Sequence, residues 1–572
     1  MRNQLICGVC GTLLTGYLLV TAACSGTSGG DRGEDTTGAG GSSQTSGSGT
    51  SSGTSTGTNT TTGSNTTTTT GSNTTTTTGS GGSTGSGGST GSGGSTSVGD
   101  GGPTNTGCTG MELPPGNRCT TPGPTVAAGG QLLIDNLEPA AGDTAVCHRI
   151  AELDGRKGSW NSGKDLMSPN GSVVHSFEAP GAGAAPGSTR AIHVVGQGLN
   201  GYGGYLAVPL APCYDASKYQ GISFWLKGDP TKAPWMKLSI MTPPTVQASE
   251  GGACVQPLAG SSGLQCYDNF SVNLFKVSNV WTRYAITWQQ LAQYGWGQPV
   301  PVTYRSQTQI IGINFSPVWA NDKALNKAFD LWVDNLSFDV AGPFADTGLQ
   351  QTMSATQFNT AFPNRNQLYS DGYNQLVAAL NDPRFSRIGR EGSLQDRKRE
   401  IAAMMAHIWW ETGGAAGDSA GLTAVREISP TSNYCQADVL YPCASGQTYI
   451  GRGPLQLSWN YNYGQAGDYL GVPALLTNPD QVATNAALTW RASMFFWMAW
   501  RNHTTNSLLV GPHYRFLHDG FGGTIRAING MLECAPGNTQ ADQRRRMYKQ
   551  FCATLGVTPC DGCDQSFPCP PE

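Results

Sequence analysis

Hydrophobic and polar positions follow three different rules along this chain. In "SLQDRKREIAAMMAHIWWETGG", Ile401, Met404, Met405 and Ile408 fall at i, i+3, i+4 and i+7, the spacing of one helical face. Ser393 with Asp396 supplies a cap signal before that helix, and Gly413 and Gly414 end it. "DQVATNAALTWRASMFFWMAW" is apolar nearly all round and predicts a second long, buried helix. "TQADQRRRMYKQFCATLG" predicts a third, so residues 351–572 read as a mainly α domain. Upstream, the apolar runs are short and β-rich: "AIHVVGQ", "GISFWLKG", "MKLSIMT", "RYAITW", "IIGINFSP" and "FDLWVDNLSFDV". Clusters of Gly, Pro, Asn and Asp separate them, which predicts an antiparallel β-sandwich over residues 108–343. Residues 24–107 carry no apolar period; "NTTTTTGS" occurs twice and "GSGGST" three times in tandem. With almost nothing to bury, that segment predicts a disordered tether. About 80 such residues span roughly 50 Å as a random coil. The fold class is multidomain: a tether, a β-sandwich, then a mainly α domain.

One segment fits none of these rules. "YIGRGPLQLSWNYNYG", from Tyr449 to Gly464, is too glycine-rich for a core helix and too aromatic for a linker. Its Tyr, Asn, Gln and Ser side chains read as a rigid polar-aromatic surface, with glycines that let a ligand approach the backbone.

Composition narrows the picture. The glycine excess is local to the tether, which holds 26 of the 79, and a net charge of −4 without a basic cluster gives no sign of nucleic acid as the partner. The start, "MRNQLICGVCGTLLTGYLLVTAAC", has an early Arg2, an apolar stretch and small residues before Cys24. Residues 1–23 therefore read as a secretory signal rather than a span. The stretch resembles a bacterial lipoprotein signal, with Thr21 where such signals usually carry Leu or Val. That resemblance implies lipidation at Cys24 and export to an outer-membrane or cell-surface position, or else secretion, with the membrane touched by the N-terminal lipid only. Sixteen cysteines fit an oxidising compartment. The Cys254–Cys266 spacing suits a loop staple, and Cys552, on a helix between apolar neighbours, is the expected free thiol.

The candidate chemistry lies in the α domain. Glu411 ends an apolar helix directly after Trp409 and Trp410. Desolvation there favours its protonated form, which a general acid needs near neutral pH. A plain helix-end carboxylate is the competing reading. Glu427, in "AVREISPTSNYC", is polar-flanked in a loop and should stay ionised; alone it reads as a surface charge. Two carboxylates in unlike settings beside a polar-aromatic groove are the parts of a glycoside hydrolase.

At this point the resemblance is specific. Residues from about 353 to 560 resemble a glycoside hydrolase family 19 chitinase, a lysozyme-like α-helical class. The family's "HETTGG" acid motif matches "WETGG" at Glu411, with Trp410 where the family has His. Its base matches Glu427 in "REISPTSNYC", and its "GRGPxQLSxNYNYG" signature is intact from Gly451 to Gly464. The resemblance implies that Ser458 holds the nucleophilic water with Glu427. It also implies that Gln456, Tyr461 and Asn462 bind N-acetylglucosamine units. "GFGGTIRAINGMLEC" carries over Asn529 as a substrate contact, and Arg544 matches an arginine near the acidic pair. Cys435 and Cys443 match a short family disulfide. The loop between Glu411 and Glu427 is shorter than in the longer plant enzymes, implying a more open cleft. The implied reaction is inverting hydrolysis of chitin or a related N-acetylglucosamine polysaccharide by a monomer, with no cofactor for catalysis. A peptidoglycan-degrading hydrolase and a non-catalytic chitin-binding adhesin are the alternatives. Retention of both glutamates speaks against the adhesin.

The sandwich is less definite. "LLIDNLE" and "FDLWVDNLSFDV" resemble the opening and closing strands of jelly-roll, galactose-binding-like carbohydrate-binding modules. Such modules often hold a structural calcium, which implies Asp135 and Asp334 as ligands; ordinary turn aspartates are the alternative. Trp160, Tyr202, Trp296 and Trp319 are candidate sugar-stacking rings, against the routine burial of Trp in β-sandwiches.

Overall fold

The computed structural model describes Cys108, residues 116–119 and residues 133–559 apart from 151–157, 166, 234, 258–263, 275–276, 302–303, 320–324, 339, 341–346, 500–510 and 536. The expected signal segment, Cys24 and the tether lie outside the described residues.

Among the described residues eleven strands build the sandwich: β1 (Leu133–Asp135), β2 (Asn161–Lys164), β3 (Ser172–Glu178), β4 (Ala191–Leu199), β5 (Gly204–Tyr214), β6 (Gly221–Gly228), β7 (Trp235–Met241), β8 (Phe270–Leu274), β9 (Thr282–Thr287), β10 (Ile310–Val318) and β11 (Lys327–Ser337). One sheet runs β3-β4-β11-β6-β9 with β1 added on β11; the other runs β2-β5-β10-β7-β8. Every pairing is antiparallel. Alternation sets the core: Ile192 and Val194 of β4 and Leu331 and Val333 of β11 point inward, while His193 and Trp332 stack on the opposite face with centroids 4.0 Å apart. Cys254 and Cys266 are bridged as the spacing suggested, and Cys108–Cys147 and Cys119–Cys213 staple the edges.

Nine α-helices follow among the described residues: α1 (Gly348–Thr352), α2 (Ala355–Ala361), α3 (Gly372–Leu380), α4 (Leu394–Glu411), α5 (Asn460–Leu470), α6 (Gln481–Thr484), α7 (Ala486–Met498), α8 (Pro512–Glu533) and α9 (Thr539–Thr554). α4 starts at the predicted cap, with the Ser393 hydroxyl accepting from the Asp396 amide and the Asp396 carboxylate accepting back from Ser393. The expected second helix is two. Asn485 leaves helical geometry at φ −112° and ψ 111°, and its side chain caps the Ala487 and Leu488 amides. An Asn inside an apolar run is a cap signal that the hydrophobic pattern alone conceals. α7 is buried as predicted. Cys552 is free and buried, and Cys435 pairs with Cys443.

The two regions are not beads on a string. Trp235 of β7 packs into the helical core and stacks on His518 of α8, centroids 5.0 Å apart. Arg387, buried and ion-paired to the fully buried Glu391, donates to the Asn273 carbonyl of β8 at 2.7 Å. Gln290 reaches the Arg384 carbonyl at 3.2 Å. The buried Arg387 guanidinium needs both Glu391 and the Asn273 carbonyl, because an unpaired charge there costs about 3–5 kcal/mol.

Candidate active site

Glu411 is the last residue of α4, where the negative end of the helix dipole opposes its charge. It is 6% exposed, and burial is the main cause that raises its pKa above the ordinary glutamate range. Arg544 of α9 works against that shift: Nη2 donates to Glu411 Oε1 at 2.5 Å. The same guanidinium is already claimed by Glu533, at the end of α8. Nε reaches Glu533 Oε2 at 2.8 Å and Nη2 reaches Oε1 at 2.9 Å. Two carboxylates therefore share one cation, so the arginine cannot fully neutralise Glu411. The charges of Glu533 and Glu427 push its pKa further up.

Glu427 meets a different environment. It is partly exposed, Oε1 accepts from the Tyr434 hydroxyl at 2.6 Å, and Oε2 accepts from the Gly451 amide at 3.2 Å. Its own amide donates to the Gly451 carbonyl at 2.8 Å, so this carboxylate is stitched to the signature segment.

That segment answers in two halves. Gly451–Ser458 is a tight loop, with Arg452 and Leu457 exchanging backbone hydrogen bonds of 3.2 and 2.9 Å. Gly453 sits at φ 79°, and a Cβ there would meet the Thr489 hydroxyl at 2.9 Å. From Asn460 onward the chain is helical and largely buried, contrary to the expectation of a non-helical surface. Gly464 makes this possible: the Tyr441 ring lies against it, at 2.1 Å from where a Cβ would be. Within the loop the Ser458 hydroxyl donates to the Gln456 carbonyl at 2.9 Å, and the Asn462 amide donates to the Ser458 carbonyl at 2.9 Å. Gln456 itself adopts φ 49° and donates from Nε2 to the Gly453 carbonyl at 2.8 Å. Tyr461 stacks on Trp459 at 6.0 Å. Gln456, Ser458, Tyr461 and Asn462 are all buried, so they wall the loop more than they project from it.

Asn529 joins the acid cluster. Its Nδ2 donates to Glu533 Oε1 at 2.8 Å, and its Oδ1 is buried without a hydrogen-bond partner among the described residues. A break in α8 at Asn529, φ −148° and ψ 37°, turns the side chain there. An orphaned carbonyl oxygen beside the acid is an acceptor that a sugar hydroxyl or amide can satisfy.

Glu533, Tyr434 and His407 were not singled out by sequence reasoning. Glu533 lies inside the "MLEC" match, but its chemical signal is tertiary: it shares Arg544 with Glu411 only once α8 and α9 pack.

In the sandwich, the aspartates expected to share calcium have separate fates. Asp135 accepts from Trp160 Nε1 at 2.7 Å, His148 Nε2 at 2.9 Å and the Leu137 amide at 2.9 Å. Asp334 is fully buried with neither carboxylate oxygen in hydrogen-bond geometry to a described residue. Burial pushes its pKa up to about 6, although the nearby Ser188 hydroxyl and the Asn335 and Ala185 amides offset part of that. Asp334 fits an oxygen-ligated cation; no cluster of three acidic, His or Cys side chains backs it among the described residues. Trp160 is core, 0% exposed and stacked near Phe315, so it cannot stack on a sugar. Trp319 donates to the Lys232 carbonyl and carries Lys327 over its ring, while Tyr202 and Trp296 remain about half exposed.

The family model for chitinase class I matches residues 348–565. Endochitinase 2 of Gossypium hirsutum is 37% identical over 236 residues, covering 37% of this chain and 76% of that protein. The chain belongs to the class I chitinase family. That family is glycoside hydrolase family 19, so this protein is a glycoside hydrolase. The endochitinase of Carica papaya is 36% identical over 233 residues, covering 37% of this chain and 94% of the papaya protein. Chitinase C from Streptomyces griseus HUT6037 is 38% identical, with 37% of this chain and 96% of that chain covered at a TM-score of 0.32. The family match lies wholly in the helical region.

Proposed function

We propose that this chitinase cleaves β-1,4-linked N-acetylglucosamine chains by a single inverting displacement. The carrying observation is the contrast between a buried Glu411 of raised pKa and a partly exposed Glu427 tied to the signature loop. Glu411 gives its proton to the glycosidic oxygen as the C1–O bond breaks. Glu427 takes a proton from water, whose oxygen bonds to C1 on the opposite face. Ser458 holds that water with Glu427, and Gln456, Tyr461, Asn462 and Asn529 hold the sugar. Arg544 keeps Glu411 from being pushed so high that it would never release its proton, while Glu533 takes a share of the same cation. Inversion requires the carboxylates roughly 6.5–9.5 Å apart, leaving room for the water. The test is the anomer first formed from a chito-oligosaccharide, followed by proton NMR. The α-anomer supports the reading and the β-anomer refutes it. Release of sugar from purified cell walls but not from colloidal chitin would move the substrate to peptidoglycan.

The sandwich supplies, on this reading, a polysaccharide-binding surface docked on the enzyme, and Cys24 a lipid anchor on an exported chain. Asp334 would hold a structural calcium. Without the ion its folded pKa exceeds the unfolded value, so its stabilising contribution is present below the unfolded carboxylate range and lost as pH rises through about 6. Asp334→Asn should therefore raise Tm at pH 7 in chelator, by roughly 5 °C for a shift on the order of 2 kcal/mol. Calcium should raise the wild-type Tm and leave the variant unmoved. Equal calcium gains in both proteins would remove Asp334 from the site.

A further inference from the structure

We infer that His407 and Thr524 form a relay that holds Arg544 at the acid, making His407 a positioning residue for the reaction. This rests on the assignment of Glu411 as general acid. His407 lies one helical turn before Glu411 on α4, is 0% exposed, and sits between the rings of Phe521 at 5.0 Å and Trp497 at 6.0 Å. Packing alone asks for an apolar side chain in such a place. Instead both ring nitrogens are bonded: Nδ1 lies 3.0 Å from Arg544 Nη1, and Nε2 lies 2.7 Å from Thr524 Oγ1.

The ends of the chain fix its direction. A guanidinium only donates, so Nδ1 must be the acceptor and the ring proton must sit on Nε2. Thr524 accepts that proton's hydrogen bond and passes its own to the Phe521 carbonyl at 2.6 Å, which only accepts. The order is Arg544 to His407 to Thr524 to Phe521, with one proton per link. A protonated imidazole would turn a donor against the arginine. Burial and the Arg544 charge both keep the ring neutral, with its pKa well below the ordinary histidine range.

The consequence falls on Arg544. Its Nε and Nη2 serve Glu533 and Glu411, and His407 supplies the acceptor for Nη1. With all three nitrogens held, the fork cannot swing toward Glu533 alone and release the acid. The charged groups facing Glu411 are Arg544 from α9, Glu533 from α8 and Glu427 from the facing loop. Of these, only the arginine lowers its pKa. Loosening the arginine therefore lets the acid's pKa climb further, and the alkaline limb of the pH–rate profile moves to higher pH.

The test compares His407→Leu, His407→Asn and Thr524→Val with wild type on a soluble chito-oligosaccharide. His407→Asn keeps an acceptor near the Nδ1 position, whereas His407→Leu keeps only bulk. We expect His407→Leu to shift the alkaline limb of kcat upward by at least half a pH unit and to lower kcat several-fold, with KM within twofold. His407→Asn should restore the limb, and Thr524→Val should give a smaller shift in the same direction. Nitrogen NMR of histidine-labelled wild-type protein should show a neutral ring protonated at Nε2. A merely structural role would lower Tm in all three and leave the limb where it was, which overturns the proposal. If His407→Leu does not fold, Thr524→Val and the NMR tautomer decide it: an unmoved limb, or a proton on Nδ1, is refutation. Glu411→Gln, run alongside, separates the failures, since an active Glu411→Gln would sink the acid assignment itself.

Discussion

Glu411→Gln should lower turnover by roughly 10²–10⁴-fold while the protein stays folded. Gln keeps an oxygen acceptor for Arg544 Nη2, and Glu533 still balances the guanidinium, so no buried charge is left unpaired. The stability effect has a definite sign. Glu411 has a folded pKa above its unfolded value, so its contribution to stability is present at low pH and is lost as pH rises through that raised value. The variant carries no such titration. Its Tm should match wild type in acid and equal or exceed it on the alkaline side, measured by calorimetry across pH. Wild-type-like hydrolysis by this variant would refute the acid assignment, whatever its stability.

The second large effect is on stability as much as on activity. Arg544→Ala leaves Glu411 and Glu533 both buried with their shared cation gone. Removing one side of a buried ion cluster costs about 3–5 kcal/mol. For a helical region of this size that corresponds to a Tm drop of roughly 6–20 °C. Most of the loss should come from stranded charge rather than lost packing. Arg544→Ala combined with Glu533→Gln should therefore recover much of the Tm while hydrolysis stays low, because Glu411 still lacks the cation that trims its pKa. If the double variant is no more stable than Arg544→Ala, the charge argument fails and the guanidinium's contact over the Trp410 ring, 5.8 Å from its centroid, is the main contributor.

Local signals were legible where a single segment carries them. The Ser393–Asp396 cap, the burial of α7 and the strand "GISFWLKG", recovered as β6 at the same residues, depend on neighbours in sequence. The Asn485 break was hidden because an apolar run outweighed one polar residue until its side chain was seen capping the next helix. The helical start at Asn460 was hidden for another reason. Its glycine looks like a breaker until the Tyr441 ring is found packed against it. The protein partners of Asp135 were hidden as well: Trp160 and His148 reach it across the fold, and no spacing rule announces them.

The sequence by itself determined the family and the order of the two regions and singled out Glu411 and Glu427 as the candidate pair, because motif residues and short-range periodicity survive without coordinates. The tertiary structure decided how those glutamates differ. Trp409 and Trp410 hinted that Glu411 was dry, and burial is the largest cause of its raised pKa; what trims that shift is a guanidinium divided between Glu411, Glu533 and His407, brought together from α4, α8 and α9. Such a balance depends on distances of a few ångströms in a low-dielectric interior, where Coulomb energies change steeply with position. No linear pattern encodes that; packing does.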